Sequence, residues 1–450
     1  MKNLLSPCPN PRLQASWNAT QLGLLCLPLS PFLGAVCLGL AMIDTSRQQL
    51  DKITRRPLNQ GFAILAGWLV ITAFFAYDKG AALIGLFNFL PFFILFAALS
   101  TLIQTPAQLR QIAWIIASAS LPVVIIGYGQ LFWGWAGHLT FLWIVIDWQL
   151  MPTGNPPGRM ASVFQYANLL AIYLIITFIL TLGLWIETCQ TLQHKNFLSA
   201  EEKKLITPSL RLAFLSLTVV SQTLALILTN SRNAWGIAAL ACLVFAIYLQ
   251  WYWFVSIFVS ISGSVFWSAF GPNPLRQWLR TIIPPYFWQR LTDELYPNRP
   301  LATLRTSQWQ FAWNMTLAKP LMGWGLRNFN PIYQAKTGEW LGHPHNLFLM
   351  LSSESGIPAT LLFCGLVGWI LAKTILFLRN WAQESLELKA LASRQDHFIL
   401  FTYLVAFFAC TLFHFFDVPL FDLRINVMGW LLLSAIWGIV EHKNANIPYR

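Results

Sequence analysis

Long, evenly apolar runs separated by short polar breaks organise this chain. Candidates lie near 22–43, 61–77, 81–103, 111–135, 163–186, 212–229, 234–251 and 253–270, then near 356–378, 398–416 and 425–440. Each approaches or exceeds the roughly 17 residues of a minimal span of the hydrocarbon core. The runs are too long and too evenly apolar for the alternating strands of a barrel. Helices satisfy their backbone groups internally, where lipid offers no partner. The pattern predicts an all-α integral membrane protein of about 11–12 transmembrane helices. It forms a single polytopic domain over 1–450, with one large extracytoplasmic loop, 271–355, containing short helices.

The first run, LLCLPLSPFLGAVCLGLAMI, holds Pro28, Ser30 and Pro31 at its middle. A break there makes a short helical hairpin of a single span, and this is the difference between eleven crossings and twelve. A signal peptide is not expected, because mostly polar residues precede the run and no small-residue cleavage site follows it.

Composition agrees with this pattern, with 56% apolar and 10% charged residues. The net charge of +12 adds orientation. Segments 44–60, 104–110, 187–211 and 379–397 hold twelve lysines and arginines, among them Arg55, Arg56, Lys203, Lys204 and Arg394. The alternate connections hold only Lys79, Arg159, Arg232 and Arg424. Basic short loops stay cytoplasmic, so the first set faces inward and the second outward. The long segment 271–355 falls outside by parity, since long loops translocate regardless of charge. Nucleic acid is not an expected partner, because the cations are scattered over many loops and form no continuous stripe. The seven cysteines suggest neither a disulfide framework nor a metal site.

With sides assigned, the informative polar residues gather at the outer surface. NPPGRMASVFQYANLL brings Arg159, LTNSRNAW brings Arg232, and the long loop brings Arg305, Arg327, His343 and His345. FHFFDVPLFDLR adds His414 and Asp417. An isolated Arg232 also suits a residue that snorkels to the headgroups, but its flanks Asn230, Ser231 and Asn233 favour a site. Arg159, after the rigid turn GNPPG, fits a loop cation as well as a ligand contact. His414 and Asp417 stand three residues apart, a spacing that suits a mutual hydrogen bond at a helix end. His343, across Pro344 from His345, reads as a solvated neighbour. Trp309 and Trp313 recur at helical spacing, as in a helix lying flat at headgroup depth. Gly323 and Gly325 let backbone approach something closely, although a Gly-x-Gly alone says little about phosphate.

Taken in order, four stretches carry a resemblance. They are SRNAW between two spans, W..AWNM....PLMGWGLRNF...Y in the long loop, GHPHNLFLMLSSESGIPATLLF entering a span, and HFFD near the end. Together they resemble the O-antigen ligase and polymerase superfamily, bacterial integral-membrane glycosyltransferases. His345-Asn346, nine residues and then Gly356 are similar to the ligases' histidine motif. The resemblance implies a glycan donor on undecaprenyl diphosphate, a lipid or glycan acceptor such as a lipopolysaccharide core, and no cofactor or metal. It further implies a multi-pass protein of the inner membrane with its site facing the periplasm. His345 and Arg232 are then the catalytic candidates. Arg159, Arg327, Asn346 and His343 are candidates for substrate binding, and His414 and Asp417 for support.

That chemistry suits the residues. A diphosphate leaving group needs cations, and the arginine fork pairs bidentately with phosphate oxygens. An attacking sugar hydroxyl must lose a proton, and a neutral imidazole is the usual base near pH 7. One direct displacement of this kind inverts the anomeric configuration. The resemblance leaves ligase and polymerase branches open, along with relatives associated with inorganic-carbon transport. The near absence of ionisable residues inside the spans argues against a transport path.

Overall fold

The computed structural model describes residues 7–142, 144–193, 208–292, 294, 304–388 and 391–445. Lys203 and Lys204 of the orientation argument lie outside the described residues. About 77% of the structure is helical, and the strands among the described residues form one hairpin, so the protein is an all-α membrane protein. Nine described helices are long and apolar enough to cross a membrane.

In chain order, α1 (Gln14–Cys26) and α2 (Pro31–Gln48) precede a short α3 (Leu50–Thr54) and the spanning α4 (Pro57–Phe74). Next come α5 (Lys79–Leu86), α6 (Leu90–Leu102) and α7 (Pro106–Phe132). An antiparallel hairpin, β1 (Gly137–Phe141) and β2 (Ile146–Leu150), leads to α8 (Ala167–Gln193), α9 (Pro208–Leu228), α10 (Arg232–Tyr248) and α11 (Tyr252–Phe270). The long loop carries α12 (Leu275–Ile282), α13 (Pro285–Leu291), α14 (Arg305–Ala318) and α15 (Phe329–Thr337). The chain closes with α16 (Leu347–Leu388), α17 (Leu391–Phe413) and α18 (Leu423–Ala445). Of the spanning helices, α8 and α18 are the most enclosed and α11 the least, so the core is centred on α8, α17 and α18.

Polar breaks in the sequence become helix starts through their side chains. Thr105 and Gln108 form a capping box on α7 with Pro106 in its first turn, and Asp78 accepts from the Ala81 amide at 3.0 Å to start α5. The first apolar run is a hairpin, as its prolines suggest. Pro31 begins α2, Ser30 caps it, and the α1–α2 turn is bonded to the β-hairpin through Ser30 to the Val145 carbonyl and Trp148 Nε1 to the Leu29 carbonyl. The run 81–103 is interrupted at Phe87–Phe89, which divides it into α5 and α6. The carbonyl of Asn88 at that break accepts from the Asn426 amide at 2.9 Å. The β-hairpin itself lies within 136–162, where the hydropathy pattern shows only a connection.

Partly buried ion pairs tie the end of the bundle away from the long loop. Arg110 of α7 bridges Glu187 of α8 at 2.6 Å and Asp396 of α17 at 2.7 Å. Arg56 meets Glu441 of α18 at 2.8 Å and the hydroxyls of Ser100 and Thr101. Cations anchored this way serve the packing of the helices.

At the opposite end the long loop folds onto α16. Ala312, Met315, Phe329 and Tyr333 form a small core of their own, and the Thr316 and Ser352 hydroxyls lie 3.0 Å apart. The helix with Trp309 and Trp313 therefore packs on α16 through a buried face, and only part of it, including Trp313 and Leu317, is exposed. Gly325 donates to the Glu354 carbonyl at 2.8 Å, and the Glu354 carboxylate accepts from the amides of Arg327 and Phe329. What the Gly-x-Gly approaches closely is thus protein: a Cβ on Gly323 would stand 2.4 Å from Glu354 backbone.

Gly356 interrupts α16 with φ at 82° and ψ at 164°. A Cβ there would stand 2.1 Å from the Leu321 carbonyl oxygen. Gly356→Ala is therefore expected to destabilise the protein by roughly 1–3 kcal/mol through strain alone. Gly365→Ala, on the same helix with open space around it, is expected to be neutral or mildly stabilising. Thermal unfolding of the detergent-solubilised protein measures both, and equal melting temperatures for the two variants would contradict the packing described.

Candidate functional site

Four connections meet at the end of the bundle where the long loop lies: residues 152–166, the α9–α10 turn, the long loop itself and the α17–α18 turn. Residues 152–166 turn sharply at Gly154, with φ at 91° and the Arg159 carbonyl against its Cα hydrogens. That turn aims Arg159 back at the bundle, where Nε donates to the Thr229 carbonyl at 2.8 Å and a terminal nitrogen to Asn168 Oδ1 at 2.7 Å. Asn230, in the left-handed region at φ 53°, reverses the chain between α9 and α10 and leaves Arg232 as the first residue of α10. Arg305 opens α14, and Trp309 follows one turn later. His345, also left-handed at φ 52°, ends the loop just before α16.

Arg159, Arg232, Arg305 and His345 line a single cavity of about 770 Å³. Asn168 and Trp309 share its wall, and no aspartate or glutamate is among the described residues that line it. Three guanidinium groups around one opening are donors of the kind that suit an anion with several oxygens. Arg305, known from the sequence only as one cation of the long loop, is brought here by α14. Asn168 carried no sequence signal at all, because asparagine near a helix start is ordinary.

Behind His345 stands Asp417, in the turn between α17 and α18 and 6% exposed. Its Oδ1 lies 3.1 Å from His345 Nδ1 and 3.5 Å from His343 Nε2, and accepts from the Val418 amide at 2.9 Å. Oδ2 accepts from the Asn168 amide at 2.8 Å. Burial alone would raise the Asp417 carboxyl, but the His345 hydrogen bond and the two imidazoles hold it well below the usual carboxylate range. An ionised Asp417 accepting from Nδ1–H leaves the lone pair of His345 on Nε2, the tautomer a proton acceptor needs. Asn168 joins this carboxylate to Arg159, so cation and imidazole hang on one hydrogen-bonded chain.

Other expected residues sit elsewhere. His343 is not a solvated neighbour: it packs between Asp417 and the Phe421 ring, stacked at 6.0 Å, because Pro344 folds the turn back on itself. Burial pushes its pKa down to about 4. Its Nδ1 accepts from the His345 amide at 3.2 Å. Asn346 caps α16, accepting from the Leu349 amide at 3.0 Å and donating to the Phe415 carbonyl, which uses both ends of its side chain on protein. Arg327 does not line the cavity; its guanidinium lies 5.4 Å over the Phe421 ring. His414 and Asp417 do not bond each other. His414 Nδ1 turns back to the Cys410 carbonyl at 2.7 Å, since the chain leaves the helix after Phe413 and swings Asp417 toward His345.

Comparison with known families bears directly on this region. Residues 217–364 match the family model described as O-antigen ligase. That segment, about a third of the chain, is similar to an O-antigen ligase domain. Comparison with curated proteins returned no match. Within the matched O-antigen ligase segment lie Arg232, Arg305, His345 and the Gly356 kink. Arg159, Asn168 and Asp417 lie outside it and join the cavity through the fold.

The two imidazoles and Asp417 also offer ligand atoms within 4.8 Å of one another, near enough to hold a metal ion. His345 is hydrogen-bonded to Asp417 Oδ1, and His343 Nε2 stands 3.5 Å from the same oxygen.

The buried His343 has a consequence for stability. Its folded pKa of about 4 lies below the value of 6.5 for a free histidine. The unfolded chain therefore binds more protons between those values, and stability falls as pH drops through that window. The contribution is at most on the order of 3 kcal/mol. Asp417 is already ionised there and adds no slope of its own. The melting temperature of His343→Gln is expected to fall less than that of the unmodified protein between pH 7 and pH 4.5. Parallel curves would show that His343 is not buried neutral.

Proposed function

We propose that this protein is a metal-independent, inverting glycosyltransferase that moves a glycan from undecaprenyl diphosphate to an acceptor hydroxyl. The acceptor belongs to a lipopolysaccharide core or another surface glycan, and the reaction runs on the periplasmic side of a bacterial inner membrane. The single observation that carries the reading is the cavity at one end of the helix bundle, which three arginines line together with His345, and His345 is backed by Asp417.

The donor's diphosphate sits among Arg232, Arg159 and Arg305. The acceptor hydroxyl oxygen attacks the anomeric carbon from the opposite face. As that bond forms, the bond from the anomeric carbon to the phosphate oxygen breaks, and its electron pair leaves with the diphosphate. Guanidinium groups stabilise the charge that develops there in a partly dry site. His345 Nε2 takes the hydroxyl proton, and the ionised Asp417 stabilises the resulting imidazolium. Products are the glycosylated acceptor and undecaprenyl diphosphate, with the configuration inverted by the single displacement. The family match supports the reaction type, and the cavity's position at a membrane end suits a lipid-borne donor.

Purified protein in liposomes, given undecaprenyl-diphosphate glycan and a surface-glycan acceptor, tests this. Arg232→Lys is expected to lower transfer by at least about 10²-fold, because an ammonium does not reproduce the bidentate fork. A metal chelator is expected to leave the rate unchanged, and NMR of the product to show inverted linkage. A lysine variant as fast as the unmodified protein, or a retained configuration, would overturn the reading.

A further inference from the structure

A second cavity of about 550 Å³ opens at the same end, on the other side of the loop that carries Arg159. Its chemistry is different. The cation there, Arg424, is already satisfied: its guanidinium grips both oxygens of Asp422, donates to the Val163 carbonyl at 2.9 Å and stacks on Phe164 at 3.8 Å. Asp422 also accepts from the Arg424 amide, so this pair closes on itself and forms an effectively neutral floor. Asp147 is paired with His138 at 2.6 Å. Nothing here asks for an anion.

What the cavity does offer is neutral hydrogen-bonding capacity beside aromatic surface. Gln165 and Tyr166 are exposed, and among the described residues no group hydrogen-bonds the Gln165 side-chain amide or the Tyr166 hydroxyl. Gln165 is held in the left-handed region at φ 62°, a conformation costly for a non-glycine residue and one that gathers at ligand sites. The Asn155 amide, donating to the Gln165 carbonyl at 2.6 Å, fixes that turn. Trp148 is fixed by its Nε1 bond to the Leu29 carbonyl, and Phe32 lies 40% exposed on the facing wall. A rigid aromatic wall suits the apolar C–H face of a sugar, while amide and phenol groups suit its hydroxyls.

The two cavities share a partition. Arg159 and Asn168 face the cationic side, while Asn155, Gln165 and Tyr166 of the same loop face the neutral one. The Tyr166 phenol stands within the field of Asp417, Arg159 and Arg305, which puts it at the boundary.

We infer that the neutral cavity is a saccharide subsite that holds a sugar unit of one substrate while the anomeric centre lies in the arginine-lined cavity. The inference rests on the glycosyl-transfer reading for its partner cavity, but the subsite is defined by binding alone. Acceptor glycan and donor glycan present the same chemistry to it.

The test uses the full chain in lipid nanodiscs and leaves turnover out. Two sets of lipid-free oligosaccharides serve as probes, one released by mild acid from the cell's undecaprenyl-linked glycan and one from the acceptor glycan. Saturation-transfer NMR follows each, and inorganic pyrophosphate binding is titrated in parallel to report on the arginine-lined cavity. One of the sets is expected to receive saturation from aromatic protons, and which one identifies the source. Gln165→Ala and Tyr166→Phe are each expected to weaken that binding several-fold, and about tenfold together, with pyrophosphate binding unchanged. Unchanged pyrophosphate binding shows that the variants are folded. Saccharide binding as tight in the double variant as in the unmodified protein, or no saccharide binding at all, overturns the subsite. Failure of pyrophosphate to bind the unmodified protein counts instead against the diphosphate site and the reaction assigned to it.

Discussion

A single buried carboxylate holds the outer end together. Asp417 is removed from water, where an ionised group survives only when its oxygens are satisfied. Its partners come from three places in the chain: Val418 beside it, Asn168 at the start of α8, and His343 and His345 at the end of the long loop. Meeting that demand draws the histidine turn against the helix bundle and, through Asn168, fixes the guanidinium of Arg159. The cavity is what remains between these groups once α14 has packed on α16 and brought Arg305 to the rim. Site and fold are therefore one problem here, because the cluster that orients His345 also ties α8 and the α17–α18 turn to the long loop.

Electrostatics divides the outer end into two chambers that share a loop. On one side three arginines line the opening, and guanidinium groups suit a polyanion. On the other, Arg424 and Asp422 cancel, and amide, phenol and indole groups take over. A lipid-linked glycan has this division within one molecule, a charged diphosphate followed by neutral, hydroxyl-rich rings. At the inner end the charges have a different task. Arg110 and Arg56 join helices through ion pairs, whereas Arg159, Arg232 and Arg305 line an opening.

Much of this was legible in the sequence, for a definite reason. Lipid imposes a coarse rule on length and hydropathy, so the existence of the helices and the break between α1 and α2 could be read from apolar runs and prolines, while helix ends such as that of α16 at Leu347 could not. The sequence also pointed to Arg159, Arg232 and His345, because charge and imidazole are conspicuous in a chain this apolar. It was least informative where a role depends on rotation or on long-range packing. Arg327 and Arg305 look alike in the loop, but only α14 turns its arginine toward the opening, while Arg327 is held by Glu354 through its backbone. Asn346 looks like a ligand contact and is a helix cap. His414 and Asp417 are three residues apart, yet the helix ends between them. Asn168, Gln165 and Tyr166 are ordinary letters, and their placement comes from a loop whose course a hydropathy pattern does not encode.

The proposed transfer turns on His345 acting as the base at the cavity, with His343 behind it as part of its support. The most direct measurement is the single-turnover transfer rate of purified His345→Ala and His343→Ala, each saturated with undecaprenyl-linked donor whose binding is verified separately. A positioned general base contributes about 10²–10⁴-fold, so the His345 variant should bind donor normally and transfer slower by that order, with a much smaller loss for the His343 variant. Transfer by His345→Ala at the rate of the unmodified protein, or a larger loss from His343→Ala, would contradict the account.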